Sequence, residues 1–180
     1  IAGTRAALGK PARPVLHLEK ATHVVLFDDD VLGKHPAAVR YAADWAKLRK
    51  TADEGRMSRV WCAESTLTTT GSVADIRIPA RVSEIEAAVE HLAAKLEVGR
   101  RDAVDVNLSA ELKQALDRAA EQLKAHRGSA LVSAGAHLSE RTHALVVRIN
   151  AMLDAIGKTV DYVELPPTLA SSCMDGIRAL

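Results

Sequence analysis

ATHVVLFDDD (residues 21–30), GKHPAAVR (33–40), SRVWCAEST (58–66) and TGSVADIRIPAR (70–81) decide the fold. His23 to Phe27 is an apolar run too continuous for a half-exposed strand, so it reads as a buried strand that ends in three acids. Pro36 suits the first turn of a helix, where its missing N–H costs nothing. That helix is expected to reach about Lys50, with Val39, Ala43, Ala46 and an edge of Trp45 or Leu48 inward. Residues 49–59 are charged and read as a loop. Val60 to Ala63 is a second buried strand, followed by Glu64-Ser65-Thr66. Ala74-Asp75 then leads a short Ile-x-Ile-Pro segment. This order is the half-unit of a nucleotide-binding fold.

The rest of the chain continues the alternation. Residues 1–20 hold an Ala-rich segment, then Gly9, Pro11 and Pro14, which read as a loop. Ser83 with Glu86 is a capping box opening a helix, and Ile85, Val89, Leu92 and Leu96 form its apolar stripe. Residues 99–108 are a polar connector. Ser109 caps a further helix with Leu112, Leu116, Ala119 and Leu123 on its stripe. Ser129 to Ala134 is a third strand, ending at Gly135. A long helix follows, with Leu145, Ile149, Met152 and Ile156 inward and Gly157 as its stop. Thr159 to Leu165 is a fourth strand, closed by Pro166-Pro167, and Thr168 to Leu180 reads as a loop.

The expected fold is therefore α/β: a Rossmann-like parallel sheet with helices on both faces and right-handed crossovers. All four strands, near 23–28, 60–63, 130–134 and 159–164, are expected to be parallel. The 180 residues read as one domain, with halves 15–98 and 109–165 joined by the connector. Opening on Ile1 and closing on Ile177-Arg178-Ala179-Leu180, the chain reads as excised from a larger one. An unpaired sheet edge then invites self-association.

Composition bounds the function. Apolar residues make up 48% and charged residues 26%, with a net charge of +1. That is a globular balance, which speaks against nucleic-acid binding and against disorder. No window approaches the ~20 apolar residues of a membrane span. Cys62 and Cys173 form no C-x-x-C pair, so the chain alone offers no iron–sulfur or structural zinc ligand set. The seven histidines lack metal spacing. Neither a G-x-S-x-G elbow, a G-x-G-x-x-G turn nor a Walker loop is present. No catalytic or metal-ligating residue is assigned.

Ligands of parallel sheets bind beyond the carboxyl ends of the strands. Those ends carry Asp28-Asp29-Asp30, then Glu64-Ser65-Thr66, then Gly135-Ala136-His137. Three acids suit Mg²⁺ or the acidic pocket of a receiver domain, but a receiver needs an Asp where Gly135 stands. They equally suit a solvated strand end that caps the next helix. Glu64 is placed to bond a ribose or a guanine edge. Thr66 to Gly71 supplies hydroxyls that either wrap a phosphate or form an ordinary loop. Any small-molecule binding is assigned to Asp28, Asp30, Glu64, Ser65 and Thr66.

These motifs resemble the molybdopterin oxidoreductases. In that family a strand reading A-D-V-V-L ends in a short polar motif, and a helix opens near a Pro. A second strand ends in an acid, and a Thr/Ala-rich loop, Ala-Asp and I-P-x-R follow. Residues 21–96 are similar throughout, and ALVSAG (130–135), HALVVRINAML (143–153) and IGKTV (156–160) resemble the family's next segment. DDDVLGKHPAAVRYA (28–42) and MSRVWCAESTLTTTGSVAD (57–75) are closest to the large iron–sulfur subunit of alternative complex III and related quinol-oxidising membrane complexes.

The resemblance implies a module of a respiratory electron-transfer complex, with other subunits of that complex as partners. It implies a parent exported by the twin-arginine route to the outer face of the membrane, with iron–sulfur clusters elsewhere in that parent. Active relatives carry molybdopterin guanine dinucleotide, whereas the molybdopterin-like part of these subunits carries no molybdenum. The departures of this chain fall on the cofactor side. Active members commonly place Gly or Asn where Asp28-Asp29-Asp30 stand, and often Asp-Pro where Glu64-Ser65 stand. Added negative charge repels a pyrophosphate by ~1 kcal/mol or more per close pair at partial exposure. A structural module is thus the expectation, and a cofactor-binding domain of an active molybdenum oxidoreductase is the alternative.

Overall fold

The computed structural model describes residues 2–49, 57–99 and 108–166. Helix α1 (Ala2–Leu8) and strand β1 (Ala12–Leu16) come first, followed by a 3₁₀ turn over Leu18–Lys20. The parallel unit begins with β2 (His23–Phe27), α2 (Ala38–Arg49), β3 (Arg59–Glu64), α3 (Thr69–Val73), β4 (Ile76–Pro79) and α4 (Val82–Lys95). It continues with α5 (Ala110–Ala125), β5 (Ala130–Ala134), α6 (Glu140–Met152) and β6 (Val160–Glu164).

Four strands form one sheet in the order β4-β3-β2-β5, flanked by helices. Every pair in it is parallel, with His23 opposite both Arg59 and Ala130, and Trp61 opposite Ile76. The chain steps outward from β2 to β4 and then returns to the other side of β2, the topology of a Rossmann half. The carboxyl ends of β2 and β5 are therefore the switch point. The strands are apolar because both faces are covered: Val24, Val25, Leu26 and Phe27 are all at most 1% exposed. With Leu131 and the expected stripes of α4 and α5, they make one core. Burial of each large side chain contributes about 1.5–3 kcal/mol as an upper estimate.

The fourth expected strand does not join this sheet. β6 pairs antiparallel with β1 in a separate two-stranded ribbon, Pro14 facing Tyr162. The outer edge of β5 is already occupied. The Asn150 side chain accepts from Val132 N (2.9 Å) and donates to Val132 O (2.8 Å). The Thr159 hydroxyl donates to Ala130 O at 2.6 Å. β1 falls where the sequence reads as a loop, and its Pro14 is tolerated because, among the described residues, the ribbon has a free edge.

Several local expectations shift. α2 buries Tyr41 and Asp44, while Val39 is 88% exposed and Ala43 and Ala46 face solvent; Trp45 and Leu48 are half-buried. The Tyr41 hydroxyl accepts from Leu16 N, which turns this face toward β1. α4 starts at Val82, and Glu84, not Glu86, reaches back to Arg81 N at 2.8 Å. Glu86 accepts instead from Ser139 N and Oγ, at the start of α6. α6 ends at Met152, leaving Ile156 38% exposed, and Gly157 (φ 80) turns the chain into β6. Ser109 caps α5 as expected, accepting from Leu112 N. The connector 100–107, most of the loop before Ser58, Cys173 and the closing segment from Pro167 lie outside the described residues. No described helix is long and apolar enough to cross a membrane.

Candidate functional site

The strand ends converge at the carboxyl edge as the alternation requires, but their acids turn inward to protein donors. Asp28 adopts φ 49, a left-handed conformation that Asp tolerates better than most residues. Its Oδ1 accepts from Ser65 N (3.0 Å) and Oγ (3.1 Å), and its Oδ2 lies 3.1 Å from His137 Nε2. The carboxylate thus ties the ends of β2 and β3 to the loop after β5.

Asp29 points the other way and accepts from Ser133 Oγ on β5 at 2.6 Å. Burial pushes its carboxyl above the usual carboxylate range, and the Ser133 bond opposes that shift in part. Asp30 organises the following loop. Its Oδ1 accepts from Thr70 N (3.1 Å) and Oγ1 (2.8 Å), and its Oδ2 from Lys34 N (3.2 Å). Desolvation works against ionisation of Asp30, but these bonds, led by those from Thr70, hold its carboxyl below the ordinary value. The Asp30 backbone carbonyl also accepts from Gly33, Lys34 and His35. A Cβ at Gly33 would stand 2.2 Å from Asp30 Oδ2, so a side chain there would displace the Asp30 carboxylate from its donors.

Glu64 is 1% exposed and forms a buried ion pair with Arg77 Nε of β4. Its Oε2 accepts from Thr68 Oγ1 at 2.6 Å, and the Cys62 thiol lies 3.7 Å from the same oxygen. Burial, then the Glu64 charge, pushes the Cys62 thiol far up, so it stays a thiol. Thr68 also caps α3, accepting from Gly71 N at 3.0 Å.

Among the residues the sequence singled out, Asp28 and Ser65 meet, and Asp30 lies with them at the same edge. Glu64 sits beneath, turned into the β3–β4 layer. Thr66 is exposed in the loop beyond Ser65, with Leu67 67% exposed beside it. Sequence reasoning missed Thr70, Ser133, Arg77 and Thr68 as partners. Two of them carry a readable signal: Thr68 and Thr70 belong to a run of threonines after an acid-ended strand, a composition suited to capping acids.

At the switch point the ends of β2 and β5 stay in close contact. Gly135 N donates to Phe27 O at 2.9 Å, and a Cβ at Gly135 would stand 2.2 Å from Asp28 O. His137 and Ser133 add side-chain bonds to Asp28 and Asp29. The three carboxylates diverge to separate donors. Among the described residues, no three His, Cys, Asp or Glu side chains are grouped to hold a metal ion. The chain matches no protein-family model, and no curated protein matches it.

Proposed function

We propose that this chain is a molybdopterin-oxidoreductase-like domain that serves as a structural module of a respiratory, quinol-oxidising complex. One observation carries the reading. The ends of β2 and β5, beyond which a Rossmann half lays a pyrophosphate, carry Asp28 bonded to His137 and, turned the other way, Asp29 bonded to Ser133. The donors a phosphate would need are committed to carboxylates, and the carboxylates repel it. These residues do not fit a pterin dinucleotide. The resemblance of residues 21–96 to the family supplies the complex.

In this reading the partners are other subunits of the complex, at the outer face of a bacterial cytoplasmic membrane after twin-arginine export. Iron–sulfur clusters belong to other parts of the same protein. Self-association of the isolated domain would use β4, which among the described residues bonds only to β3 and closes on Pro79, a residue with no N–H to donate.

The test is a titration with guanosine diphosphate and with the pterin dinucleotide, followed by amide NMR shifts at residues 28–33, 64–71 and 133–138. No saturable shift is expected. Micromolar binding that shifts these residues would overturn the reading and revive the cofactor-binding alternative. Molybdenum and pterin analysis of the full-length protein is the second arm, and stoichiometric metal would overturn it as well.

A further inference from the structure

The amino ends of the strands carry a different chemistry from the acidic carboxyl edge. A cavity of about 510 Å³ opens there between the sheet and α5. Its inner wall is Trp61 of β3, 2% exposed, with Ile76 of β4 and Ala115 of α5. Arg59, Arg118, Glu121 and Gln122 stand around it. The volume falls in the range of small-molecule sites, roughly 300–1,000 Å³, and an apolar wall with a few convergent polar groups is their usual lining.

Among the described residues, the charge balance of this cavity's lining is positive. Two arginines and one acid, Glu121, are among its lining residues. Among the described residues, neither Arg59 nor Arg118 has an ion-pair partner. The acid near Arg59 is Asp75, and its two oxygens are taken by Arg49 at 2.7 and 2.8 Å and by Val60 N at 2.8 Å. Arginines usually lie against an acid or a ligand anion, because the planar fork matches a carboxylate. Behind Trp61, His23 stacks on His126 at 3.6 Å between ring centroids and stands 6.0 Å from the indole. The mouth is therefore cationic, and only the edge of the buried Trp61 reaches the cavity, with Ile76 beside it.

We propose that this cavity binds a small ligand with a flat apolar body and one anionic group, the chemistry of an aromatic carboxylate. Arg59 and Arg118 take the carboxylate. Ile76 and the exposed edge of Trp61 take the ring. A single excess positive charge matches a monoanion, and Glu121 disfavours ligands of higher charge. This site lies at the opposite end of the sheet from the acids and does not depend on the role proposed for the domain.

Benzoate is the probe, with benzamide as its neutral counterpart. In an amide NMR titration benzoate should shift residues 59–61, 76 and 115–122 and leave 28–33 and 133–138 in place. Benzamide should bind about fivefold or more weakly. Arg118 is exposed on α5, so its replacement leaves the fold intact, which circular dichroism verifies. Arg118→Glu should weaken benzoate about tenfold or more, the size of a lost charge-assisted bond, and leave benzamide unchanged. Arg118→Lys should retain most of the affinity. Saturation elsewhere, equal binding of benzamide, indifference to Arg118→Glu, or no shift at millimolar benzoate would each overturn the site.

Discussion

Asn150 stands in for a strand beside Val132. Its side-chain amide makes both backbone bonds that a neighbour would make, at 2.9 and 2.8 Å, and also donates to the Tyr162 hydroxyl at 3.3 Å. A helix thereby closes the β5 edge and links it to β6. Asn150 is 1% exposed, so water cannot replace it.

Asn150→Leu keeps the branched outline and removes the polar atoms. Val132 N–H and C=O are then buried without partners, at about 1–3 kcal/mol each. Urea denaturation should show a loss of roughly 2–6 kcal/mol. An unchanged midpoint would mean that the β5 edge finds other partners.

Glu64 and Arg77 differ in how easily each could live alone. The Glu64 side chain is 1% exposed and Arg77 is 31% exposed. Arg77→Met strands a buried carboxylate and should cost about 3–5 kcal/mol, whereas Glu64→Gln frees an arginine that can turn to water and should cost less. Gly71→Ala should disrupt the same pair, because a Cβ there would stand 1.9 Å from Glu64 Oε1. A double-mutant cycle on Glu64→Gln and Arg77→Met reads the coupling, and additivity of the two would refute it.

What could be read from the sequence follows from burial. β2, β3 and β5 are covered on both faces, so their apolar runs announce them. The stripes of α4 and α5 do the same. β1 was illegible because Pro11 and Pro14 speak against a strand unless a free edge is known. The pairing of β6 was illegible for a longer-range reason: it turns on Asn150 and Thr159, polar residues whose partners lie on β5. The candidate site divides in the same way. Alternation places acids at strand ends, but Asp30 meets Thr70 across 40 residues and Asp29 meets Ser133 across 104. No local pattern encodes those meetings, and they decide whether the edge is open or tied.

Stability should fall in mild acid through His23. Its folded pKa is lowered to about 4 from 6.5 by burial first, then by the His126 and Arg59 charges. The unfolded chain therefore takes the proton first as pH drops. The contribution is complete above pH 6.5 and is lost as pH falls toward 4. Thr22, bonded to His23 Nδ1, does not titrate. Thermal melts between about pH 7 and pH 5 should show the wild type losing more than His23→Gln, since carboxylates titrate mostly below this window. Parallel curves for the two proteins would remove His23 as the cause.

Asp29 should behave in the opposite sense. Its folded carboxyl holds its proton above the ordinary 3.8, because burial disfavours the charge. The folded state then binds the proton more tightly than the unfolded state, so this residue's contribution falls as pH rises from about 4 through the folded pKa. At neutral pH Asp29 is a burden unless Ser133 supplies its bond of 2.6 Å. Asn at this position keeps an acceptor for Ser133 and never ionises. Asp29→Asn should therefore raise the melting temperature at neutral pH and change little near pH 4. Ser133→Ala should lower it at neutral pH, and Asp29→Asn should rescue that loss in the double variant. Chemical denaturation of the four proteins at both pH values is the measurement. Destabilisation by Asp29→Asn at neutral pH would show that the charge itself is wanted at this strand end.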